Sequence, residues 1–253
     1  MSRRLCFGGD APISPFVKLW VPGRDGSGVA KDVVSGGGFT AAAGNDTMWS
    51  TTGFFGAKAT GIGTDGSCSF GVVNPLATWD PRTQSLALAM SIRSPAHGAA
   101  SRIFGNSIGN GAGAANAGIA LGSNTNLARL GLRMNDGVHN MGTPDFAADI
   151  LDNNLHTLVL FMDSVSKLCM AWIDKTQVVD GGLDFSGMTG SIAQPTEPLR
   201  VGRIGATTVN TRATLLAGLQ IAIVDGEMPA NFIQLYESYV ANPTRPWSGD
   251  LWS

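Results

Sequence analysis

Charge is scarce in this sequence. Asp, Glu, Lys and Arg make 14% of the 253 residues, against roughly 25% in an average soluble domain. The signs nearly cancel: 17 Lys and Arg face 19 Asp and Glu, a formal net charge of -2 at pH 7. A protein that neutralises a run of phosphates needs clustered Lys and Arg, so no nucleic-acid partner is expected. A polybasic membrane-surface patch is excluded on the same ground. Cysteine occurs only at Cys6, Cys68 and Cys169, widely spaced and without a C-x-x-C pair, which excludes a disulfide framework and a zinc ribbon. Cys169, among Leu168, Met170 and Trp172, reads as a small buried apolar side chain. Long apolar runs are missing as well. The best candidate membrane span, 215–224, is half the ~20 residues a spanning helix needs and contains Gly218 and Gln220. At the start, Arg3 and Arg4 precede only Leu5, Cys6 and Phe7 before Gly8, too few for the apolar region of a secretion signal. The expectation is a chain made in a host cytoplasm, with no membrane segment.

What the sequence does have is glycine and apolar residues. Glycine, at 34 residues, is about double its usual share, and hydrophobic residues make 43%, with mean hydropathy +0.11. A sizeable core is therefore available in one domain. Short apolar runs at 85–92, 118–121, 128–134, 155–162, 167–173, 177–179, 199–204 and 214–224 are punctuated by Gly, Asn, Asp and Pro and read as strands. Leu86, Leu88, Met90 and Ile92 alternate with Ala87, Ala89 and Ser91, a large face and a small one. Asp163-Ser164-Val165-Ser166 and Asp174-Lys175-Thr176 read as hairpin connections, so 155–179 forms an antiparallel meander. Strands at this spacing imply a sandwich or jelly roll. One helix is expected, opened by Pro229 at its first position. It carries Phe232, Leu235, Tyr236 and Tyr239 as one stripe and stops at Asn242-Pro243, packed on a sheet edge. The almost bulk-free 105–122 is either a mobile loop, the preferred reading, or a pair of closely approached strands. The chain divides into an N-terminal segment 1–36, an arm or an extra strand, a jelly roll over 37–241, and a tail over 242–253. Trp247 and Trp252 in that tail imply docking, on its own domain or on another subunit.

Several of these segments, in order, resemble the laminin-G-like, concanavalin A-like jelly rolls. Leu155-His156-Thr157-Leu158 is similar to that family's "W-H-hydrophobic" strand, and Trp172-Ile173-Asp174-Lys175 to its strand closing in a "D-G" turn, with Lys175 for the glycine. Glu197-Pro198-Leu199-Arg200-Val201-Gly202 resembles "P-L-x-I-G", and Leu216 to Ile223 resembles "F-x-G-x-I-D-x-V", followed by Leu235-Tyr236 in the helix. Upstream, Met48-Trp49 through Gly53-Phe54-Phe55-Gly56-Ala57-Lys58 is similar to "W…G-x-F-G-x-A". The ending Tyr239-Val240-Ala241-Asn242-Pro243, then Trp247, looks like that of family members in tailed bacteriophages and prophages. The resemblance implies an all-β, antiparallel sandwich with one short C-terminal helix. It further implies a non-enzymatic structural component of a virion: a capsid decoration, head fibre or tail protein that meets other virion proteins and copies of itself. The alternative from another class is a carbohydrate-binding module for host-surface glycans, with or without calcium.

Catalytic chemistry is thinly represented. The same jelly roll hosts glucanases, whose Glu-x-Asp-x-x-Glu pattern puts carboxylates on one strand face; retaining enzymes need them about 5–5.5 Å apart. Glu197, Glu227 and Glu237 are the only glutamates, and none falls in a central strand. His97, His139 and His156 are far apart without H-E-x-x-H, and no Gly-x-Ser-x-Gly elbow occurs. Gly61-Ile62-Gly63-Thr64-Asp65-Gly66 matches G-x-G-x-x-G without the βαβ context that would give it meaning. The resemblance makes calcium worth weighing: Asp136, Asp145, Asp149 and Asp152 precede the 155–162 strand and carry oxygens of the right kind. A solvated acidic loop is the preferred reading. For a glycan, Trp49, Trp79 and Trp247 are candidate aromatic platforms. No residue is assigned a catalytic, cofactor-binding or metal-binding role, and no cofactor is expected.

Overall fold

The computed structural model describes residues 12–22, 30–41, 47–49, 55–57, 68–70, 74–94, 101–106, 117–123, 128–142, 145–179, 183–190, 199–201 and 215–252. Strands among these are β1 (Val17–Val21), β2 (Phe39–Ala41), β3 (Thr47–Trp49), β4 (Phe55–Ala57), β5 (Cys68–Phe70), β6 (Gln84–Arg93), β7 (Ser101–Gly105) and β8 (Gly118–Ser123). They continue as β9 (Gly131–Asn135), β10 (Asn140–Gly142), β11 (Leu155–Asp163), β12 (Leu168–Ile173), β13 (Thr176–Gln177), β14 (Leu183–Asp184), β15 (Arg200–Val201) and β16 (Leu215–Asp225). One α-helix, α1 (Phe232–Ala241), follows. A nine-stranded sheet runs β13-β12-β11-β6-β16-β4-β3, with β1 also on β16 and β14 also on β12; a seven-stranded sheet runs β10-β9-β8-β7-β15-β5-β2. Every strand pairing is antiparallel. The protein is an all-β, jelly-roll-like sandwich with one short helix, as the strand spacing predicts.

The two faces of β6 explain the layering. Leu86, Leu88, Met90 and Ile92 point between the sheets and pack with Leu158, Leu160 and Met162 of β11 and with Ile119, Leu121, Leu132 and Met134 of the opposite sheet. Ala87 and Ala89 point outward, but they are buried too, with Val159, Phe161, Trp172 and Ala222, beneath Leu235, Tyr236, Tyr239, Trp247 and Trp252. Alanines there leave room for a third layer, so α1 lies across the face of the sheet rather than at its edge. Phe161, Trp172, Phe232 and Tyr236 form a ring-on-ring cluster with centroids 5.4–6.0 Å apart, spacings favourable for tilted and edge contacts. The helix begins at Phe232 after Asn231, not at Pro229; Pro229 sits in the preceding turn, where its carbonyl accepts from the Phe232 N–H.

The tail closes this layer onto its own chain. The Trp247 indole N–H donates to the Leu235 carbonyl (2.9 Å), and its backbone N–H donates to Gln220 Oε1 (3.0 Å). The tail backbone crosses so close to β16 that a Cβ on Gly218, at φ +58°, would lie 2.0 Å from the Pro243 carbonyl oxygen. Within 1–36, β1 pairs with β16 from Val17 to Val21. In the glycine-rich stretch, the preferred loop reading does not hold at its ends: β7 and β8 pair, and a Cβ on Gly105 would lie 2.1 Å from the Ile119 carbonyl oxygen. Glycine is there because two backbones meet. Residues 107–116 lie outside the described residues.

Candidate functional site

Polar side chains gather at the two ends of the sandwich. At the end where β11 begins, His156 takes the inward position that continues the row Met162, Leu160, Leu158, so its ring stands at the mouth of the core. Both ring nitrogens are engaged. Nε2 lies 3.0 Å from Asp152 Oδ1 in the loop before β11, and Nδ1 bonds Asp174 Oδ2 in the β12–β13 hairpin. Asp174 Oδ1 accepts from the Thr157 N–H (2.8 Å) and hydroxyl (3.2 Å). Asp152 in turn accepts from the backbone N–H and side-chain amide of Asn154 (2.8 and 2.7 Å).

The ionisation states follow from these contacts. Burial pulls the His156 pKa down, but the hydrogen bonds and charges of Asp174 and Asp152 outweigh it, and the net shift is upward. The Asn154 N–H and then His156 hold the Asp152 carboxyl down at about 2. The hairpin is tight: Asp174 and Lys175 both have positive φ, 48° and 74°, the left-handed pair of a two-residue turn in which glycine is favoured at the second place. Around this cluster Asp152, Asn153, Asn154, Asp174 and Lys175 are exposed, and Leu155 stands among them 52% exposed. Exposed carboxylates and carboxamides near one exposed leucine are groups that can meet a ligand carrying hydroxyls and an apolar face.

The opposite end is closed by Asp136. Its carboxylate accepts from the backbone N–H groups of Val138 (2.9 Å), His139 (2.5 Å) and Gly190 (2.7 Å), and meets His139 Nδ1 at 3.0 Å. Burial pushes this carboxyl up, yet the bonds from His139, Gly190 and Val138 prevail and hold it far below the usual range. Asp136 fastens a turn to the segment at Gly190, a structural task.

The acidic residues weighed for calcium do not converge. Asp149 pairs with Arg129 (2.5 Å), Asp152 with His156, and Asp136 with its own turn. Among the described residues no group of three or more His, Cys, Asp or Glu is placed to hold a metal ion. Two of the candidate aromatic platforms are not available for a sugar: Trp79 and Trp247 are fully buried, and Trp79 donates to the Gln84 carbonyl. The Trp49 side chain, His97, Glu197 and Gly61–Gly66 lie outside the described residues, while Glu227 and Glu237 are exposed, in a turn and on α1. The clasp around His156 escaped sequence reasoning because Asp174 is 18 residues away and only the β11–β12 register brings it back.

No family model matches the chain, and no curated protein matches it. Solved structures do. The binding domain of botulinum neurotoxin serotype G is 11% identical, with a TM-score of 0.61, over 87% of this chain and 50% of that one. The binding domain of botulinum neurotoxin DC, in complex with rat synaptotagmin II, is 11% identical, with a TM-score of 0.58, over 89% and 52%. A structure of botulinum neurotoxin type C, whose cell entry is dependent upon interaction with two ganglioside molecules, is 11% identical, with a TM-score of 0.58, over 88% and 51%. The chain thus spans about half the length of each toxin structure, and what it shares with them is the fold.

Proposed function

We propose that this chain is a non-catalytic recognition module that binds carbohydrate at the rim around His156. The observation that carries the reading is the make-up of that rim: exposed Leu155 beside the planar hydrogen-bonding groups of Asp152, Asn153, Asn154 and Asp174. A sugar ring offers an apolar C–H face and adjacent hydroxyls, and carboxylates and carboxamides can bridge two hydroxyls at once. The toxin structures of similar fold, one tied to gangliosides, support recognition over assembly. Binding without calcium is proposed, because the acidic side chains do not converge on one point: Asp149 turns to Arg129 and Asp152 to His156.

The setting carried by the sequence resemblance, the surface of a tailed-phage particle reading host glycans, belongs to the same proposal. The reading as a purely structural virion part acting through subunit interfaces is less favoured, since Trp247 and Trp252 pack against the chain's own sheet. A glycan array run with calcium and again with EDTA tests the function. Saturable, equal binding in both, weakened at least about tenfold by Leu155→Asp, is the expected outcome. A blank array with folded protein refutes it.

A further inference from the structure

We propose that His156, gripped between Asp152 and Asp174, is a pH-sensitive clasp that locks the loop ahead of β11 to the β12–β13 hairpin. The argument is one of donors and acceptors. A charged imidazolium donates from both ring nitrogens; a neutral ring donates from one and presents a lone pair at the other. Here both nitrogens face carboxylates, Nε2 on Asp152 Oδ1 and Nδ1 on Asp174 Oδ2, and neither carboxylate offers a proton when ionised. The observed two-sided grip therefore belongs to the charged ring. On deprotonation one nitrogen would set its lone pair against a carboxylate oxygen, and that side must let go.

The ring is shielded enough for this to matter, 13% exposed against 40% and 46% for the two carboxylates. Its neighbours among the described residues are these. Ile92 of β6 is the cross-strand neighbour of His156, and Arg93 that of Leu155. Lys175 follows Asp174 in the hairpin, and Tyr236 and Glu237 of α1 lie within electrostatic reach of each other, with Tyr236 also sensing Asp174. The His156 pKa is raised above its ordinary value, so the clasp is closed below about pH 6.5, where an unshifted ring is already charged. It opens as pH rises through that raised value. On the acid side the Asp152 half of the grip persists until that carboxyl, held at about 2, is protonated. Opening releases one of the two carboxylates, which is enough to break the link between the loop and a hairpin whose Asp174 and Lys175 sit at positive φ.

The clasp stands whether or not the rim binds sugar, and its test uses no ligand. The imidazole resonances of the full chain are titrated by NMR from about pH 5 to about pH 9, while exchange of backbone amides over 151–157 and 172–177 is followed across the same range, corrected for intrinsic rates. The expected result is two ring N–H signals for His156 below its midpoint, a midpoint above ~6.5, and protection at Thr157 and Asp174 falling on the order of tenfold through it. His156→Gln, which keeps a donor group and an acceptor but does not titrate, should stay folded and lose the step. Protection that stays flat through the His156 titration, or a step that survives in His156→Gln, overturns the proposal. Asp174→Asn supplies the independent check: it should lower the His156 midpoint, and an unmoved midpoint counts equally against the clasp.

Discussion

Replacing Trp247 with alanine should cost the fold about 4 kcal/mol. The side chain is 1% exposed and packs edge-on to Trp252 at 5.8 Å and tilted to Tyr239 at 6.3 Å. Removing a fully buried Trp costs about 3–5 kcal/mol, cavity included. That range includes leaving the Leu235 carbonyl without its 2.9 Å indole donor, roughly 1 kcal/mol of it. For a chain of this size each kcal/mol lowers Tm by about 2–4 °C, so thermal unfolding followed by circular dichroism should shift by roughly 8–16 °C. Trp247→Phe separates the contributions: most of the ring contact stays, the N–H bond is lost, and the cost should fall to about 1–2 kcal/mol. The same assay asks whose sheet the tail covers. A tail folded onto its own chain makes wild-type Tm independent of protein concentration, whereas a tail completing a neighbour makes it rise with concentration. A Trp247→Ala variant within about 1 kcal/mol of wild type would refute the reasoning.

Further outcomes follow from individual positions. Lys175→Gly should stabilise by about 0.5–1 kcal/mol in urea unfolding, because Lys175 holds φ 74° in an exposed turn. Gly105→Ala should destabilise by about 3 kcal/mol or more, since its Cβ would collide with the Ile119 carbonyl; urea midpoints decide this as well. Cys169, whose thiol burial pushes up to about 12, should resist thiol reagents in the native protein and label only on unfolding, read by peptide mapping. Asp136→Asn should cost about 2–3 kcal/mol at neutral pH. Because the native carboxyl is depressed, that stability is present above the unfolded pKa near ~3.9 and fades as pH falls toward the depressed native value, so variant and wild type should converge in acid.

The strand pattern was legible wherever one face is large and the other small. Leu86, Leu88, Met90 and Ile92 announced β6, and Leu158 to Met162 announced β11, within a residue of the observed ends. The small face of β6 is visible too, but its meaning is not: Ala87 and Ala89 do not say that a helix and a tail will lie on them, because that depends on packing partners, Leu235 to Trp252, far along the chain. Pro229 misled about the helix start because a proline suits the turn before a helix as well as its first position. The ends of 105–122 read as loop because a glycine opposite another backbone looks, in sequence, like a glycine in a loop. Of the candidate site, the sequence shows Asp152 as an acidic loop residue and His156 as the start of a strand. Their partnership through Asp174 needed the hairpin register.

The central claim is recognition at the His156 rim, and the most direct measurement maps it by NMR. A glycan selected on the array is titrated into the isotope-labelled chain, and backbone shift changes are placed on the fold. The account predicts saturable changes concentrated at Asp152, Asn153, Asn154, Leu155, Thr157, Asp174 and Lys175. Changes centred on the Asp136 end, or on the face of the seven-stranded sheet, would contradict it.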